Sequence, residues 1–573
     1  MKALLIDSNQ KSYSYLTDLD NVFTIQFPPF SEWLSQDAII TTFIKDQIDS
    51  TEEIDLFIIP FSVTENYLEF SGLRLAHHIR LSSRYFKKPI LFIGNLEPFS
   101  VYKLSPLSDI LSTKSVYWTT PSKTDIEAFL MNFDFIELDN IDQYLSRVNI
   151  SPPSNYESHH SIVNELALLQ WSEFLQCDHE IPEVKENIQN SLYLKYIKAL
   201  DQGSENRENK IYKIQGNSKI LLIDDEAEKG WYQFYKSFLQ SSPNIEFDFL
   251  SIDFKSLTQE EIISEANAKI EAFDPDVVLL DLRLCDKDFV TLPTTKPEEL
   301  TGVQILKNIK RCNKGIQVII TTASNKAWNY QVTLKEGANG FVIKGEDSDA
   351  AQAIVKLLTT IQLGTEKARF LKPIYKVIKD SLKIWDNYKI PKRKNVEDQF
   401  HDSLWHTSTK MHVKDFFNNA FSTINNEQLE ERFTISVILL YRIIEMVNEF
   451  FIIQSGDFRN KNIAYQFDQD GSSVPKIIYK NNMYSDRILN NGETLSSKEK
   501  CYAIYYKNTK SFDNGLFKDL HLLTEYRNNV AIHPEKRFKE ESLEYLYENN
   551  FQRFKDLMDS YYSAVSKYLN SFN

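Results

Sequence analysis

The sequence predicts an α/β fold that occurs twice and is followed by an all-α region. Short, continuous apolar runs alternate with amphipathic stretches over residues 1–150 and again over 216–365, a pattern typical of buried parallel strands joined by helices. After residue 350 the apolar residues recur with a period near 3.6, which favours helices almost to the end of the chain. We therefore predict α/β plus all-α: two doubly wound parallel-sheet domains and then a helical bundle.

Composition limits the class of protein. Apolar residues make up 42% and charged residues 25% of the 573 residues, which excludes a disordered or fibrous chain. The four cysteines are far apart and form no CxxC pair, so neither a disulfide framework nor a thiolate zinc site is indicated. No apolar run reaches the roughly 18 residues of a membrane span, and Met1 leads directly into a strand-like run. We expect a cytoplasmic protein that does not enter a membrane.

The strand-like runs of the two α/β segments correspond to each other in order, and this indicates an internal duplication. The first segment contains ALLID (3–7), IDLFIIP (54–60), PILFIG (89–94) and SVYW (115–118). The second contains KILLIDDE (219–226), FDFLSID (247–253), DVVLLDLRL (276–284), QVIITTAS (317–324) and GFVIKG (340–345). We predict a helical connector and linker over 151–215, a linker helix over 366–400 and a helical domain over 401–573, the last with a loop-rich insertion at 455–512.

Three carboxylates end strands of the second segment. Asp224 and Asp225 follow its first strand and Asp281 follows its third, and open parallel sheets place their sites at these carboxyl ends. Crowded carboxylates repel one another, so such a pocket is normally neutralised by a hard ion such as Mg²⁺. Thr322 and Lys344 end the next two strands. The alternative is a set of solvated strand-end acids.

Residues 218–360 resemble the receiver domain of two-component response regulators on these five positions. The resemblance implies that Asp281 accepts a phosphoryl group from a histidine kinase or phosphotransfer protein, and that Asp224, Asp225 and Asp281 hold Mg²⁺. It also implies that Thr322 and Lys344 bind the phosphoryl oxygens and that Phe341 is the aromatic switch residue. Two positions depart from the family pattern, because Cys285 and Gly345 stand where the family has proline.

The first segment lacks this chemistry. Aligned on the second, it has Pro60 opposite Asp281 and Thr120-Pro121 opposite Lys344-Gly345. Asp7-Ser8 aligns with the acidic pair and Gly94-Asn95 lies near Thr322. Residues 1–150 therefore resemble a degenerate receiver used for docking or dimerisation. A nucleotide-sensing domain is the alternative, although no GxGxxG loop supports it.

The helical region carries Arg527, Asn528 and His533 on one predicted helix, which Pro534 ends. An arginine and a histidine suffice for RNA cleavage without a metal, because the ribose 2′-OH is the nucleophile, histidine moves protons and arginine stabilises the phosphorane. The alternative is a histidine at a helix end beside a surface arginine. Residues 401–573 carry 21 Lys and Arg against 23 Asp and Glu, so this is the part of an otherwise acidic chain, of net charge −15, that suits an RNA partner.

These residues resemble the motif of HEPN ribonucleases. The segment with Tyr441, Arg442 and Glu445 is similar to a helix of the HEPN nucleases of type III CRISPR systems and abortive-infection toxins. The resemblance implies a homodimer in which Arg527 and His533 of two protomers form one cleft, with Asn528 orienting the phosphate or the histidine. Arg442 and Glu445 are interpreted as an internal ion pair.

The combined expectation is a signalling effector in which phosphorylation or Mg²⁺ binding at Asp281 controls a metal-independent HEPN endoribonuclease in anti-phage defence. The main alternative is a dimeric scaffold whose helical bundle binds RNA or protein without cleavage. A nucleotide-transferring bundle and a cyclic-nucleotide sensor in the first domain are further alternatives. His159-His160 faintly resembles a phosphorylatable histidine on a dimerisation helix, which makes a relay to Asp281 a minor hypothesis.

Overall fold

The computed structural model describes residues 2–571 apart from a set of gaps. The main gaps are 9–12, 30–35, 153–158, 201–212, 290–295, 324–326, 346–349, 388–395, 456–465, 468–474, 485–500 and 533–550, and shorter ones leave out single residues, pairs or triplets elsewhere. No helix in the described part of the chain is long and apolar enough to cross a bilayer.

The amino-terminal domain is built on a five-stranded parallel sheet in the order β2-β1-β3-β4-β5. Its strands are β1 Ala3–Ser8, β2 Val22–Phe27, β3 Leu56–Pro60, β4 Ile90–Ile93 and β5 Val116–Thr119. Its helices are α1 Gln36–Phe43, α2 Ser71–Arg80, α3 Pro98–Leu104, α4 Lys123–Asn132 and α5 Asp142–Leu145. Every residue of β3 is buried, as expected of a strand covered on both faces.

The central domain repeats this architecture, with strand order β7-β6-β8-β9-β10 and parallel pairing throughout. Its strands are β6 Ser218–Ile223, β7 Ile245–Phe249, β8 Val277–Leu280, β9 Gln317–Thr322 and β10 Gly340–Ile343. Its helices are α9 Trp231–Leu239, α10 Gln259–Phe273, α11 Asp286–Phe289, α12 Thr301–Cys312 and α13 Ala327–Lys335. In sequence order both sheets run 2-1-3-4-5, which supports the predicted duplication.

Three helices form a connector between the two domains: α6 His159–Phe174, α7 Pro182–Asn190 and α8 Leu192–Leu200. Leu168 and Trp171 of α6 belong to the same apolar core as Trp231 and Phe234 of the central domain. Leu192 and Tyr196 of α8 belong instead to the core of the amino-terminal domain. The connector therefore packs into both domains. The side chains of His159 and His160 lie outside the described residues.

One helix joins the central domain to the helical region. This helix, α14, runs from Ala350 to Asn387 and contains Pro373. Its first turns contribute Ile354 and Ile361 to the core of the central domain, and its last turns contribute Ile374 and Trp385 to the core of the helical region. The predicted division between residues 365 and 366 thus falls inside a continuous helix.

Within the described residues, four further helices of the helical region share an apolar core with the end of α14. They are α15 Val396–Ile424, α16 Arg432–Ser455, α17 Asn514–Ile532 and α18 Phe551–Asn570. Between α16 and α17 lie two antiparallel strand pairs, β11 Gln466–Phe467 with β12 Pro475–Lys476 and β13 Tyr479–Lys480 with β14 Met483–Tyr484. The prediction of two parallel-sheet α/β domains and a helical carboxyl-terminal region is confirmed.

Candidate functional site

The strand register of the central domain brings its three aspartates together. Ile223 of β6 pairs with Leu280 of β8, so Asp224 and Asp281 each begin the loop after their strand at neighbouring positions. Each of Asp224, Asp225 and Asp281 offers a carboxylate oxygen, and these atoms lie within 4.8 Å of one another. The convergence follows from topology, because adjacent parallel strands end at the same edge of the sheet.

Lys344 follows β10 and reaches this cluster from the other side. Its Nζ lies 2.6 Å from Oδ2 of Asp224, and both side chains are fully buried. The backbone N–H of Lys344 donates to the Thr322 carbonyl at 2.8 Å, and its ammonium group lies 4.4 Å from the centre of the Trp231 ring. Burial alone would lower the pKa of Lys344, but Asp224 and Asp281 raise it, so the lysine is a permanent cation of the cluster.

The two remaining carboxyls have raised pKa values. Burial, followed by repulsion from Asp281 and Asp224, raises the pKa of Asp225 to about 9. Burial also raises the pKa of Asp281 to about 7, although Lys344 opposes this shift. One lysine therefore does not neutralise three carboxylates, and a divalent cation bound by oxygen ligands would relieve the repulsion. This donor set fits Mg²⁺.

The cluster opens into a cavity of about 870 Å³. Asp281 is oriented there by the backbone N–H of Leu282, which donates to its Oδ1 at 2.6 Å. Thr322 is buried at the end of β9 and lines the same cavity. Phe341 is buried in β10, with its ring 5.3 Å from that of Tyr330 on α13. The predicted aspartates and Thr322 thus line one pocket, whereas Lys344 is buried next to it in contact with Asp224.

The two departures from the receiver pattern have local structural explanations. Oδ2 of Asp288 accepts a hydrogen bond from the backbone N–H of Leu284 at 2.9 Å, and Oδ1 accepts one from Thr301 at 3.1 Å. Asp288 therefore holds the loop that begins at Cys285, whose Sγ lies 3.2 Å from the Thr301 hydroxyl. Gly345 has a φ of +73°, a conformation that proline cannot adopt. The described residues contain no cis peptide bond.

The equivalent strand ends of the amino-terminal domain carry different groups. Asp7 is buried and accepts hydrogen bonds from the backbone N–H of Tyr13 at 3.1 Å and from the Gln26 amide at 3.3 Å. Pro60 ends β3 where Asp281 follows β8. A close backbone approach is retained: a Cβ on Gly72 would lie 1.8 Å from the Pro60 carbonyl, and one on Gly302 would lie 2.2 Å from that of Asp281.

A buried ionic network in the amino-terminal domain was not predicted from the sequence. Asp37 of α1 accepts from Arg74 at 2.8 Å, from His78 Nε2 at 2.9 Å and from the backbone N–H of Leu192 at 3.0 Å. Lys195 of α8 donates to Nδ1 of His78 at 3.1 Å. Burial would raise the pKa of Asp37, but the bonds from His78 and Arg74 lower it. This network fixes the connector to the amino-terminal domain.

The helical region brings together part of the predicted HEPN motif. Nη2 of Arg527 on α17 lies 3.4 Å from Oε1 of Glu445 on α16, and its guanidinium lies 5.2 Å from the centre of the Tyr441 ring. Nη1 of Arg527 donates to Oδ1 of Asn528 at 3.0 Å. Nη1 of Arg442 lies 2.7 Å from Oε2 of Glu445, so the ion pair interpreted between them is present. His533 lies outside the described residues.

Asn164 was also not predicted as a site residue, although it lines the cavity of the aspartate cluster. It comes from α6, about 60 positions before the acidic pair. A single asparagine in an amphipathic helix carries no sequence signal of its own. Only the packing of the connector against the central domain identifies it.

Comparison with known proteins places a receiver domain in this chain. A family model described as the inactive receiver domain matches residues 9–119, which confirms the prediction of a degenerate receiver in the amino-terminal domain. The transcriptional regulatory protein KdpE of Staphylococcus aureus is 27% identical over 144 residues, which are 25% of this chain. The chain spans about half the length of this curated relative, 51%.

Solved structures of receiver domains are also similar to parts of the chain. The response regulator domain of Thermotoga maritima CheB is 21% identical and covers 26% of this chain and 97% of its own, with a TM-score of 0.19. The receiver domain of a modulated diguanylate cyclase from Desulfovibrio desulfuricans is 16% identical and covers 27% and 98%, also with a TM-score of 0.19. The family match and the strand orders together show a receiver domain of the inactive class over residues 9–119 and a second α/β domain of the same strand order.

Proposed function

We propose that the central domain is a phosphoryl acceptor and that Asp281 is the residue modified. The observation that carries this proposal is a cavity lined by Asp281, the acidic pair and Thr322, with Lys344 buried beside it against Asp224. The similarity of the chain to the transcriptional regulatory protein KdpE supports phosphorylation-based signalling of the response-regulator type. By the same resemblance, the phosphodonor is a histidine kinase or a phosphotransfer protein.

The chemistry follows from the groups present. A carboxylate oxygen of Asp281 forms the new P–O bond while the P–N bond of a phosphohistidine breaks, and the imidazole leaves with the bonding electron pair and takes up a proton. By the receiver resemblance, Lys344 and the Thr322 hydroxyl would bind the phosphoryl oxygens, where negative charge is spread. Asp224, Asp225 and Asp281 would hold Mg²⁺, which adds positive charge at those oxygens when bound.

Incubation of the full chain with acetyl phosphate and Mg²⁺ tests this proposal. Intact-mass measurement is expected to show one added phosphoryl group, and the Asp281→Ala variant is expected to show none. Asp286→Ala is the matched control, because this carboxylate lines the same cavity outside the cluster. Equal labelling of the wild type and Asp281→Ala would refute the assignment.

A second activity is favoured by the contacts of Arg527. We propose that the helical region is a metal-independent HEPN-type endoribonuclease in which Arg527, Asn528 and His533 act on RNA. Glu445 and the Tyr441 ring hold the Arg527 guanidinium on α17, and the Arg527 side chain remains 42% exposed. An arginine that is fixed and still accessible suits phosphate binding. The family resemblance adds a homodimer and a setting in anti-phage defence.

Cleavage of single-stranded RNA in the presence of EDTA tests the second activity. Arg527→Ala and His533→Ala are each expected to reduce cleavage by at least about a hundredfold, the usual scale for loss of an acid–base group or of an electrostatic stabiliser. Arg442→Ala is the control, because it removes another arginine that pairs with Glu445 but lies on α16 and is not assigned to catalysis. Full activity of both variants would leave the alternative, a bundle that binds RNA or protein without cleaving it.

Control of the bundle by the central domain is the third part of the proposal. Its support is α14, whose residues belong to the cores of both regions. RNA cleavage by the wild type is expected to change on treatment with acetyl phosphate and to stay constant in Asp281→Ala. The same change in RNA cleavage in the wild type and in Asp281→Ala would show that phosphorylation of Asp281 does not control cleavage.

A further inference from the structure

The connector contributes a side chain to the acidic cavity of the central domain. Asn164 of α6 is 7% exposed, and its Nδ2 donates a hydrogen bond to Oε2 of Glu226. Within the described part of the chain, the Oδ1 atom of Asn164 is buried and has no hydrogen-bond partner. Because a carboxylate accepts and does not donate, the bond to Glu226 fixes which end of the amide remains unpaired.

Glu226 connects Asn164 to the aspartate cluster. Its backbone N–H donates to Oδ1 of Asp224 at 2.9 Å, and its Oε1 atom lies 3.2 Å from Nζ of Lys229. The side chain is buried and lines the same cavity. Glu226 therefore adds a fourth carboxylate beside Asp224, Asp225 and Asp281, and its orientation depends on two partners, one of which belongs to the connector.

The position of α6 at this cavity is fixed by close packing. Gly230 precedes α9 with a φ of +117°, and a Cβ on it would lie 2.9 Å from Leu168 of α6. Trp171 of α6 contacts Trp231 edge-on, with ring centres 5.5 Å apart. Trp231 is also the ring under the Lys344 ammonium group. Residues of α6 thus touch the start of α9 at several buried points, which leaves Asn164 little freedom to move.

We propose that Asn164 is a positioning residue of the metal and phosphoryl site, and that it acts by holding the Glu226 carboxylate against the cavity. This inference rests on the proposed function of the central domain and adds a residue from outside that domain. With Glu226 held in place, the cavity presents more negative charge to a cation, and Mg²⁺ binds more tightly. The connector is then part of the phosphorylation site.

The affinity of the full chain for Mg²⁺, measured by isothermal titration calorimetry with MgCl₂, tests this proposal. Loss of a residue that orients the surroundings of a metal site typically weakens metal binding about tenfold or more, and we expect a Kd increase of about tenfold for Asn164→Ala. Asn187→Ala is the matched control, because Asn187 is an exposed asparagine of the same connector. If Asn164→Ala does not fold, Asn164→Leu keeps the side-chain volume and removes both polar atoms.

A double variant separates action through Glu226 from a general effect on folding. Glu226→Ala alone is expected to weaken Mg²⁺ binding, and adding Asn164→Ala to it is expected to have no further effect, since residues that act through one contact are not additive. Additive losses, or a Kd of Asn164→Ala equal to that of the wild type, would overturn the inference while leaving the proposed function intact. Absence of Mg²⁺ binding by the wild type would overturn both.

Discussion

The two α/β domains share one strand order but differ in whether their buried carboxylates are fully paired. In the amino-terminal domain Asp37 is matched by Arg74, His78 and a backbone N–H. In the central domain three carboxylates meet a single lysine. The first arrangement is internally satisfied and suits a structural role. The second carries more negative charge than its lysine neutralises, which suits the binding of a cation.

The comparison also shows what the fold needs regardless of chemistry. Gly72 and Gly302 both allow a helix to approach the end of the third strand. The N–H of Gly72 donates to the Phe61 carbonyl and that of Gly302 to the Leu282 carbonyl, each at 3.1 Å. This close contact is present in both domains, whereas the carboxylate at that strand end is present only in the central one. Geometry and reactivity therefore depend on different residues of the same loop.

Removal of the buried lysine should have the largest effect. Lys344→Met leaves Asp224 buried without its cation, and we expect a loss of about 3–5 kcal/mol in the free energy of unfolding of the central domain. Lys195→Met in the connector removes hydrogen bonds to His78 and Thr41 of the amino-terminal domain, and should cost that domain about 1 kcal/mol. Urea titration without Mg²⁺ measures both. Equal losses would contradict the contrast between the two domains.

Acidification should move the stabilities of the two domains in opposite directions. Burial lowers the pKa of His77 and of His78 to about 4, so the unfolded chain takes up protons first as the pH falls. The amino-terminal domain should lose about 2 kcal/mol for each imidazole between pH 7 and pH 5. Asp225 and Asp281 have raised pKa values, so the folded central domain takes up protons first and gains stability over the same range.

Hydrogen exchange of peptides that contain β3 and β8 measures these two responses separately. The experiment is done without Mg²⁺ at pH 7 and pH 5, with correction for the intrinsic exchange rate. Protection of β3 should decrease at the lower pH while protection of β8 increases. A change of the same sign in both strands would show that the domains do not differ in the way described.

Magnesium should stabilise one domain only, by a smaller amount. At a free concentration ten times its Kd, Mg²⁺ should add about 1.4 kcal/mol to the stability of the central domain. The β8 peptide should then exchange more slowly, and the β3 peptide should be unaffected. Asp225→Asn should abolish the response, and EDTA should reverse it in the wild type. Protection of β3 by Mg²⁺ would reveal a second metal site.

The smallest effect is expected at Asp7, the aspartate of the amino-terminal domain that corresponds to Asp224 of the central domain. Asp7→Asn keeps the size of the side chain and an oxygen that can accept from Tyr13, so the stability should change by less than about 1 kcal/mol. The Mg²⁺ response of the chain should stay as in the wild type, whereas Asp224→Asn should weaken it. Loss of that response in Asp7→Asn would show that the amino-terminal strand end takes part in metal binding.

The residues that could be predicted from the sequence are those whose placement follows from topology. Asp224, Asp281, Thr322 and Lys344 lie at the carboxyl ends of four parallel strands that are neighbours in the sheet, so the topology brings them together. Pro60 at the equivalent place was sufficient to predict an inactive copy. These predictions needed no knowledge of side-chain packing.

The residues that were missed depend on packing between segments far apart in sequence. Asn164 and Asp37 lie on amphipathic helices, where a polar residue normally faces solvent. Their burial results from the docking of the connector, which no local pattern encodes. The boundary predicted at residue 366 lies within one continuous helix that contributes to two cores, because a change of domain does not alter the periodicity of a helix.

That shared helix has a mechanical consequence. At 1.5 Å per residue, the 38 residues of α14 extend over about 57 Å, so a tilt of a few degrees at one end becomes a displacement of several ångströms at the other. Near Pro373, Lys372 lies 2.9 Å from Asp274 and 3.1 Å from Asp276 at the opposite edge of the central sheet from Asp281. These ion pairs attach the middle of α14 to the central domain. A small rearrangement of the helix on one side of the ion pairs would therefore displace the bundle on the other side.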